Sequence, residues 1–504
     1  MKKYFLSIIL FIALVVISIL YINSSSTNNI LGYKADTYWG WQKNAHLLLN
    51  RIIDKQSHVV WSTGNHTATL VPLGALGPEK YTKKLKGLID NTQIAKVLKE
   101  AVSDNVNVIL VIGDGMGPNQ MSIAIYKNIA EENGEKTYFE KIMNEGESAF
   151  VTNNPFGEII GSSASTATSI ACGIKTRVGM LGVDPEGFPV ESVLEVAQKN
   201  GFATGVVSDA KIIDATPAAF YGHTTDRYDE KHLTAQLVHH KMDVVLGGGG
   251  SFFIPKGKHL SEMKGFEDLD PSLDKLSFRK DSINYLDTLI NMDYNIVNTF
   301  SELNKLENTT KRVVGFFSGE SMSSILERNK SKTDEPTLYD IATKAVNILS
   351  ASGKGYFLMI ESARIDIEAH DNDAGSVFHL VTELNNILHN CYDQYSKHPN
   401  NTLIVFTADH ETGGMAFSYY GVPGNERKPV LLKNGQEYTR TKSSLTFDEF
   451  KNIYNQDLPV FKIFSEAQNS DELFKLLNTH LPYKVSREDA DKIFDLLGNY
   501  NKGK

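Results

Sequence analysis

The chain has 504 residues, 41% of them hydrophobic and 22% charged, with a formal net charge of -9. That is enough apolar material for a large core, or for one core with a smaller cap. There is no basic run and no interleaving of aromatic residues with Lys or Arg, so nucleic acid is not a favoured partner. With only two cysteines, Cys172 and Cys391, a disulfide framework is excluded as the organising device, and both are read as small buried hydrophobes.

The N-terminus opens Met1-Lys2-Lys3, runs almost purely apolar from Phe5 to Ile22, and turns polar in N-S-S-S-T-N-N. Positive charge followed by an apolar run is the pattern of an export signal. The run is also long enough to span a bilayer, where about 20 residues are needed. Residues 1–25 are therefore expected to be a signal peptide or an N-terminal membrane anchor through residues 5–22. Lys2 and Lys3 would keep the N-terminus in the cytoplasm, with the body exported to the periplasm or the extracellular face. The plainer alternative is a buried core helix. Residues 26–105 are mixed in character, with an amphipathic stretch near Gln42–Lys55, and are expected to form an N-terminal extension.

From residue 106 the pattern sharpens. Val106–Ile112 is a short, β-branched apolar run, hence a buried strand, and it ends in Gly113-Asp114-Gly115-Met116-Gly117. Phe202–Val207 ends the same way at Ser208-Asp209, and Val244–Leu246 ends in Gly247–Gly250. Helical patterns such as Glu191–Lys199 and Leu233–His240 lie between them. This alternation predicts an α/β fold with a mostly parallel sheet, in which ligands bind at the carboxyl ends of the strands. The segment of about 251–335 is more polar and less periodic, as a cap-like insertion would be. After about 415 the apolar runs weaken, and the chain ends N-Y-N-K-G-K.

Chemistry-bearing residues collect at these strand ends. Glu361, Asp366 and His370 follow Tyr356–Ile360, and Asp409 and His410 follow Thr402–Phe406. Carboxylates and imidazoles there make poor core and good metal cages. The mixed oxygen and nitrogen set suits zinc, and all-oxygen corners suit magnesium or calcium. Asp114 sits between glycines, where the bland reading is a simple turn. Ser162-Ser163-Ala164-Ser165-Thr166-Ala167-Thr168 precedes an apolar helical stretch. Those hydroxyls serve as helix caps, or place a phosphate or nucleophile in the positive field of a helix N-terminus. Asp214 and Thr216 are two oxygen ligands in what is otherwise an ordinary turn. Arg227 is either a surface residue or a planar fork for two phosphate oxygens. His223, His232, His239 and His240 show no ligand spacing and are left as surface or supporting residues.

In combination these motifs resemble the alkaline phosphatase family, in order from about Asn107 to Gly414. The resemblance rests on G-D-G-M-G, S-S-A-S-T-A-T, K-T-R-V-G-M-L-G-V-D, D-A-T-P-A-A-F-Y-G-H-T-T-D-R, L-G-G-G, E-S-A-R-I-D-I-E-A-H and T-A-D-H-E-T-G-G. It implies an α/β domain over 106–504, with a large mostly parallel central sheet, helices on both faces and a cap. It implies hydrolysis of small phosphate monoesters through a phosphoserine intermediate on Ser163. One zinc would be held by Asp114, Asp409 and His410 beside Ser163, and a second by Asp366 and His370. Magnesium would sit with Asp114, Thr216 and Glu361, with Asp214 in its inner or outer shell. Arg227 would grip the phosphate. Family members are often homodimers. The alternatives are a phosphodiesterase or other phosphate- or sulfate-ester hydrolase of the same superfamily, and a catalytically weak phosphate- or metal-binding surface protein.

Three departures from the family pattern stand out. The acidic residue that tethers the family's arginine is replaced by Ser162, which implies a looser Arg227 and faster phosphate release. Ile367 stands where a Lys, His or Trp usually assists. The family supplies a further histidine to the second zinc from well downstream of the T-A-D-H motif. Here His480 is the only histidine after His410, in an unfamiliar context. The C-terminal part of the domain is therefore expected to be incomplete or degenerate, with a weakened second zinc site.

Overall fold

The computed structural model describes residues 38–501 apart from residue 133. The segment read as signal or anchor lies outside the described residues. Among the described residues no helix is long and apolar enough to cross a membrane.

Ten strands form one sheet: β1 (Val71–Leu76), β2 (Gly87–Asp90), β3 (Asn107–Gly113), β4 (Glu147–Thr152), β5 (Ala203–Lys211), β6 (Val244–Gly248), β7 (Asn295–Val297), β8 (Val313–Phe316), β9 (Tyr356–Ser362) and β10 (Thr402–Thr407). Their order across the sheet is β2-β4-β1-β10-β3-β9-β5-β6-β8-β7. All neighbours are parallel except β1, which runs antiparallel to both β4 and β10. The central strands β9 and β10 are buried at every residue, which is why they read as unbroken apolar runs rather than as an alternation. Helices close over them. The main ones are α1 (Tyr38–Ser57), α2 (Thr92–Ser103), α3 (Pro118–Ala130), α4 (Ser163–Cys172), α5 (Leu338–Ser350), α6 (Arg364–His370), α7 (Ala374–Lys397) and α8 (Arg487–Asn501). Helix α7 lies against β3 and β10, and α5 against β5, β6 and β9. Cys172 and Cys391 are buried and free.

Two segments do more than their sequences indicated. Residues 26–105 are not simply an extension, because β1 and β2 come from them and β1 is interior to the sheet. The run Val-Pro-Leu-Gly-Ala-Leu hides this strand behind a proline and a glycine, both poor strand formers. Likewise the insertion at 251–335 supplies the edge pair β7 and β8. The C-terminal α8 packs on α1, so both ends of the described chain cover one region.

The glycine in β1 has a packing reason. A Cβ at Gly74 would stand 2.3 Å from the Phe406 ring, which is itself buried and packed edge-on against Phe139. Gly74→Ala should therefore destabilise the fold by about 1–3 kcal/mol through overpacking, read as a lower denaturant midpoint at unchanged slope. An unaltered midpoint would mean that Phe406 can move aside freely.

Candidate metal centre

Adjacent strands β10, β3 and β9 end side by side, and their ends carry the polar residues. Asp114 follows β3, Glu361 closes β9, and Asp409-His410 follow β10. Asp366 and His370 lie four apart on α6 and so share a face. Gly115 adopts φ +72°, and a Cβ there would come within 2.8 Å of the Asp366 Cα. The G-D-G turn is thus needed both for its left-handed geometry and to let α6 approach Asp114.

Asp114, Asp409 and His410 bring one ligand atom each to within 4.8 Å of one another, and all three are buried. The His410 Nε2 lies 3.2 Å from Asp409 Oδ2, 3.5 Å from Asp114 Oδ1 and 3.3 Å from the Ser163 Oγ. Asp114 Oδ1 is buried without a hydrogen-bond partner. Burial, reinforced by Asp409, Asp366 and Glu361, pushes the Asp114 carboxyl well above its usual range. Asp409 is pushed up to about 6, chiefly by burial. His410 is held well below the usual imidazole range by burial and by the neighbouring His66. It therefore presents a neutral ring suited to a metal.

His66, Asp366 and His370 make a second cluster of the same kind. The His66 Nδ1 faces the Gly161 carbonyl at 2.9 Å, and the His370 Nδ1 faces the Gly64 carbonyl at 2.8 Å. A carbonyl only accepts, so each Nδ1 carries its proton and each ring turns its Nε2 outward. Those two Nε2 atoms point at each other across 3.1 Å, with Asp366 Oδ1 3.7 Å from His66 and Asp366 Oδ2 3.3 Å from His370. Two facing imidazole nitrogens beside a carboxylate are a donor set that could hold a metal ion. Burial works against the Asp366 charge, yet His370, His66 and His410 together hold it well below the usual carboxylate range. A third, all-oxygen corner joins Asp114, whose Oδ2 accepts from Thr216 Oγ1 at 3.3 Å, and buried Glu361, which accepts from Ser208.

His66 is the residue that the sequence did not reveal. His480, the only downstream candidate, instead pairs with Asp457 at 2.7 Å. The other candidate residues follow strands, but β1 runs antiparallel. Its N-terminal side therefore lies at the sheet end where its neighbours finish, and His66 comes before the strand. The signal was Asn65-His66-Thr67 ahead of the apolar run Leu70–Leu76. Residues 66–67 pair with Glu411-Thr412, which locks His66 over His410 with ring centroids 3.6 Å apart. Asp209 was missed as well. Its Oδ1 accepts from the Ala363 and Arg364 amides at 2.7 and 3.2 Å, fixing the start of α6.

Ser163 opens α4, with its hydroxyl beside His410. Arg227 is not loose as Ser162 had implied. Its Nη2 donates to Asp214 Oδ1 at 2.9 Å, and its amide donates to Gly179 at 2.9 Å. Burial would raise Asp214, but the Arg227 and Lys211 cations outweigh it and hold it low. Asp214 thus braces the arginine. His223, His232, His239 and His240 belong to neither cluster.

Metal removal has a pH signature. In the stripped protein Asp114, Asp409 and Glu361 have folded-state pKa values above their unfolded ones. Their stabilising protons are fully present below about pH 4 and are lost as pH rises through about 6 and beyond. The Tm gap between metal-loaded and chelator-treated protein should widen from pH 5 to pH 8. A constant gap would show that these carboxyls do not face a cation.

A profile of the alkaline phosphatase family matches residues 105–471. The chain is 31% identical over 390 residues to alkaline phosphatase 4 of Bacillus subtilis (strain 168), covering 75% of this chain and 77% of that protein. It is 30% identical over 369 residues to alkaline phosphatase of Escherichia coli (strain K12), covering 62% and 72%. The fold matches the crystal structure of Thermus thermophilus alkaline phosphatase with a TM-score of 0.61 at 20% identity, over 78% of this chain and 76% of that one. The chain belongs to the alkaline phosphatase family. It is a phosphatase that acts on phosphate monoesters.

Proposed function

We propose that the enzyme works through a covalent phosphoseryl intermediate on Ser163, at a site holding two zinc ions and one magnesium. The observation that carries this is the Ser163 Oγ, which stands 3.3 Å from His410 Nε2 at the start of α4, beside one of two three-residue clusters that could each hold a metal ion. Asp114, Asp409 and His410 would hold one zinc, and Asp366, His370 and His66 the other. Asp114, Thr216 and Glu361 would hold magnesium, with Asp214 outside them, since its Oδ1 is already engaged by Arg227 and the Ala215 amide. When bound, these ions supply Lewis acidity to the attacking and leaving oxygens.

The chain's own residues do the rest. Ser163 Oγ attacks phosphorus as the bond to the leaving alcohol oxygen breaks, and the positive end of α4 favours the alkoxide and the phosphoryl group. Arg227, braced by Asp214, grips two non-bridging oxygens. Water then attacks phosphorus, the Ser163–phosphorus bond breaks, and inorganic phosphate leaves. Against the reading of a catalytically weak phosphate- or metal-binding surface protein, His66 gives the second cluster three candidate ligand side chains rather than two.

Ser163→Ala should lower kcat for p-nitrophenyl phosphate by about a thousand-fold or more and abolish acid-trapped phosphoserine from labelled substrate. A labelled serine in that variant would sink the assignment. His66→Ala tests the second cluster by metal analysis of the dialysed protein. Loss of a supporting partner alone costs a zinc site about 10–100-fold in affinity, so loss of a direct ligand should cost at least that. Unchanged zinc stoichiometry and affinity would remove His66 from the cage.

A further inference from the structure

Directly after Arg227 the chain passes through Tyr228 and enters the helix Glu230–His240. Between this stretch and the insertion lies a cleft of about 370 Å³, walled by Tyr228, Lys231, Phe252, Phe278 and Lys280. One of its walls lies at the same end of the sheet as the metal clusters, since Phe252 follows the glycines that end β6. Phe252 is buried and stacked on Phe278, with ring centroids 4.5 Å apart and planes 13° from parallel. The Phe278 amide donates to the Ser251 carbonyl at 3.2 Å, so this ring is fixed by backbone as well as by its neighbour. It nevertheless remains 45% exposed, and Tyr228 on the facing wall is 73% exposed. Rigid aromatic surfaces held open in a cleft are stacking platforms that have not been used within the fold.

The cleft is coupled to the phosphate-gripping arginine. The Arg227 guanidinium lies 5.6 Å from the Tyr228 ring centroid. Lys211 reaches Glu230 at 2.8 Å and lies 5.1 Å from the Phe252 ring, while its charge also acts on Asp214. Tyr228 is thus the residue that the arginine and the cleft share. Lys231, Arg279 and Lys280 on the walls are balanced by Asp229, Glu230 and Asp281, so the aromatic rings rather than net charge give the cleft its character.

We propose that this cleft is the leaving-group subsite and that it selects phosphate monoesters carrying a planar aromatic ring, of the nucleoside monophosphate class, by stacking on Phe278 and Tyr228. The assignment rests on the phosphomonoesterase reading above and adds the substrate class to it. No bond is made or broken in the cleft.

The test compares adenosine 5′-monophosphate with ribose 5-phosphate, which has the same leaving oxygen and no base. Wild-type holoenzyme should favour the nucleotide in kcat/KM by about ten-fold, chiefly through KM. In Phe278→Ala that preference should disappear, and adenosine should weaken as a competitive inhibitor by about ten-fold while inhibition by inorganic phosphate stays the same. Phe278→Leu keeps apolar bulk without a ring face and should behave alike, which covers the case in which alanine unsettles the insertion. Equal kcat/KM for both substrates in the wild type, or a preference untouched by either variant, would overturn the subsite. If the wild type hydrolyses neither substrate, the phosphatase reading fails instead. Equilibrium binding of adenosine to wild type and Phe278→Leu then still decides the cleft, with equal affinity counting against it.

Discussion

Asp114, Asp366, Asp409 and Glu361 are four buried carboxyl groups aimed at one another from separate backbone segments, and their mutual repulsion is the constraint on which the rest of the structure depends. At an effective dielectric constant near 20, two like charges about 4 Å apart repel by about 4 kcal/mol. A whole domain has a net stability of about 5–15 kcal/mol. Several such pairs cannot be held together as bare anions. They must be protonated, paired with imidazoles or placed around cations, and neutral His410 among them points to the last.

The scaffold that imposes this proximity is rigid and largely apolar. Strands β10, β3 and β9 are neighbours in register, so residues just past their ends have no freedom to separate. Helix α6 is pinned at its start by Asp209 and at its close approach by Gly115. Thr412 donates to Asp366, while Glu411 accepts from Gln120 at 2.8 Å and ties the β10 end to α3. Asp366, His66 and His370 are thus each oriented by a group outside the clusters, Thr412 and the Gly161 and Gly64 carbonyls, as a metal site requires. The Asp214–Arg227 pair gives the phosphate side a carboxylate partner for the arginine although position 162 is a serine.

The antiparallel strand β1 solves a topological problem. A parallel sheet delivers ligands only after its strands, and α6 together with the ends of β3 and β10 covers only part of the second cluster. A single reversed strand set between β4 and β10 brings a histidine to the same rim from the opposite chain direction. The insertion between β6 and β8 adds walls on the other side of Arg227, where the surface turns aromatic.

The sequence by itself determined the α/β class and the strands β3, β5, β6, β9 and β10, and it singled out Asp114, Ser163, Asp366, His370, Asp409 and His410, which the fold brings together. The reason is local: buried parallel strands must be apolar throughout, and polar residues directly after them have few other uses. Only the tertiary structure decided that residues 59–76 belong to the domain and that His66 faces His370. That depends on strand direction and on pairing between segments more than 300 residues apart, such as His66–Thr67 with Glu411–Thr412, which no local pattern encodes. The bracing of Arg227 by Asp214 and the stacking of Phe252 on Phe278 were hidden for the same reason. Each pair lies apart in the chain, and what joins its members is the packing of the elements that carry them.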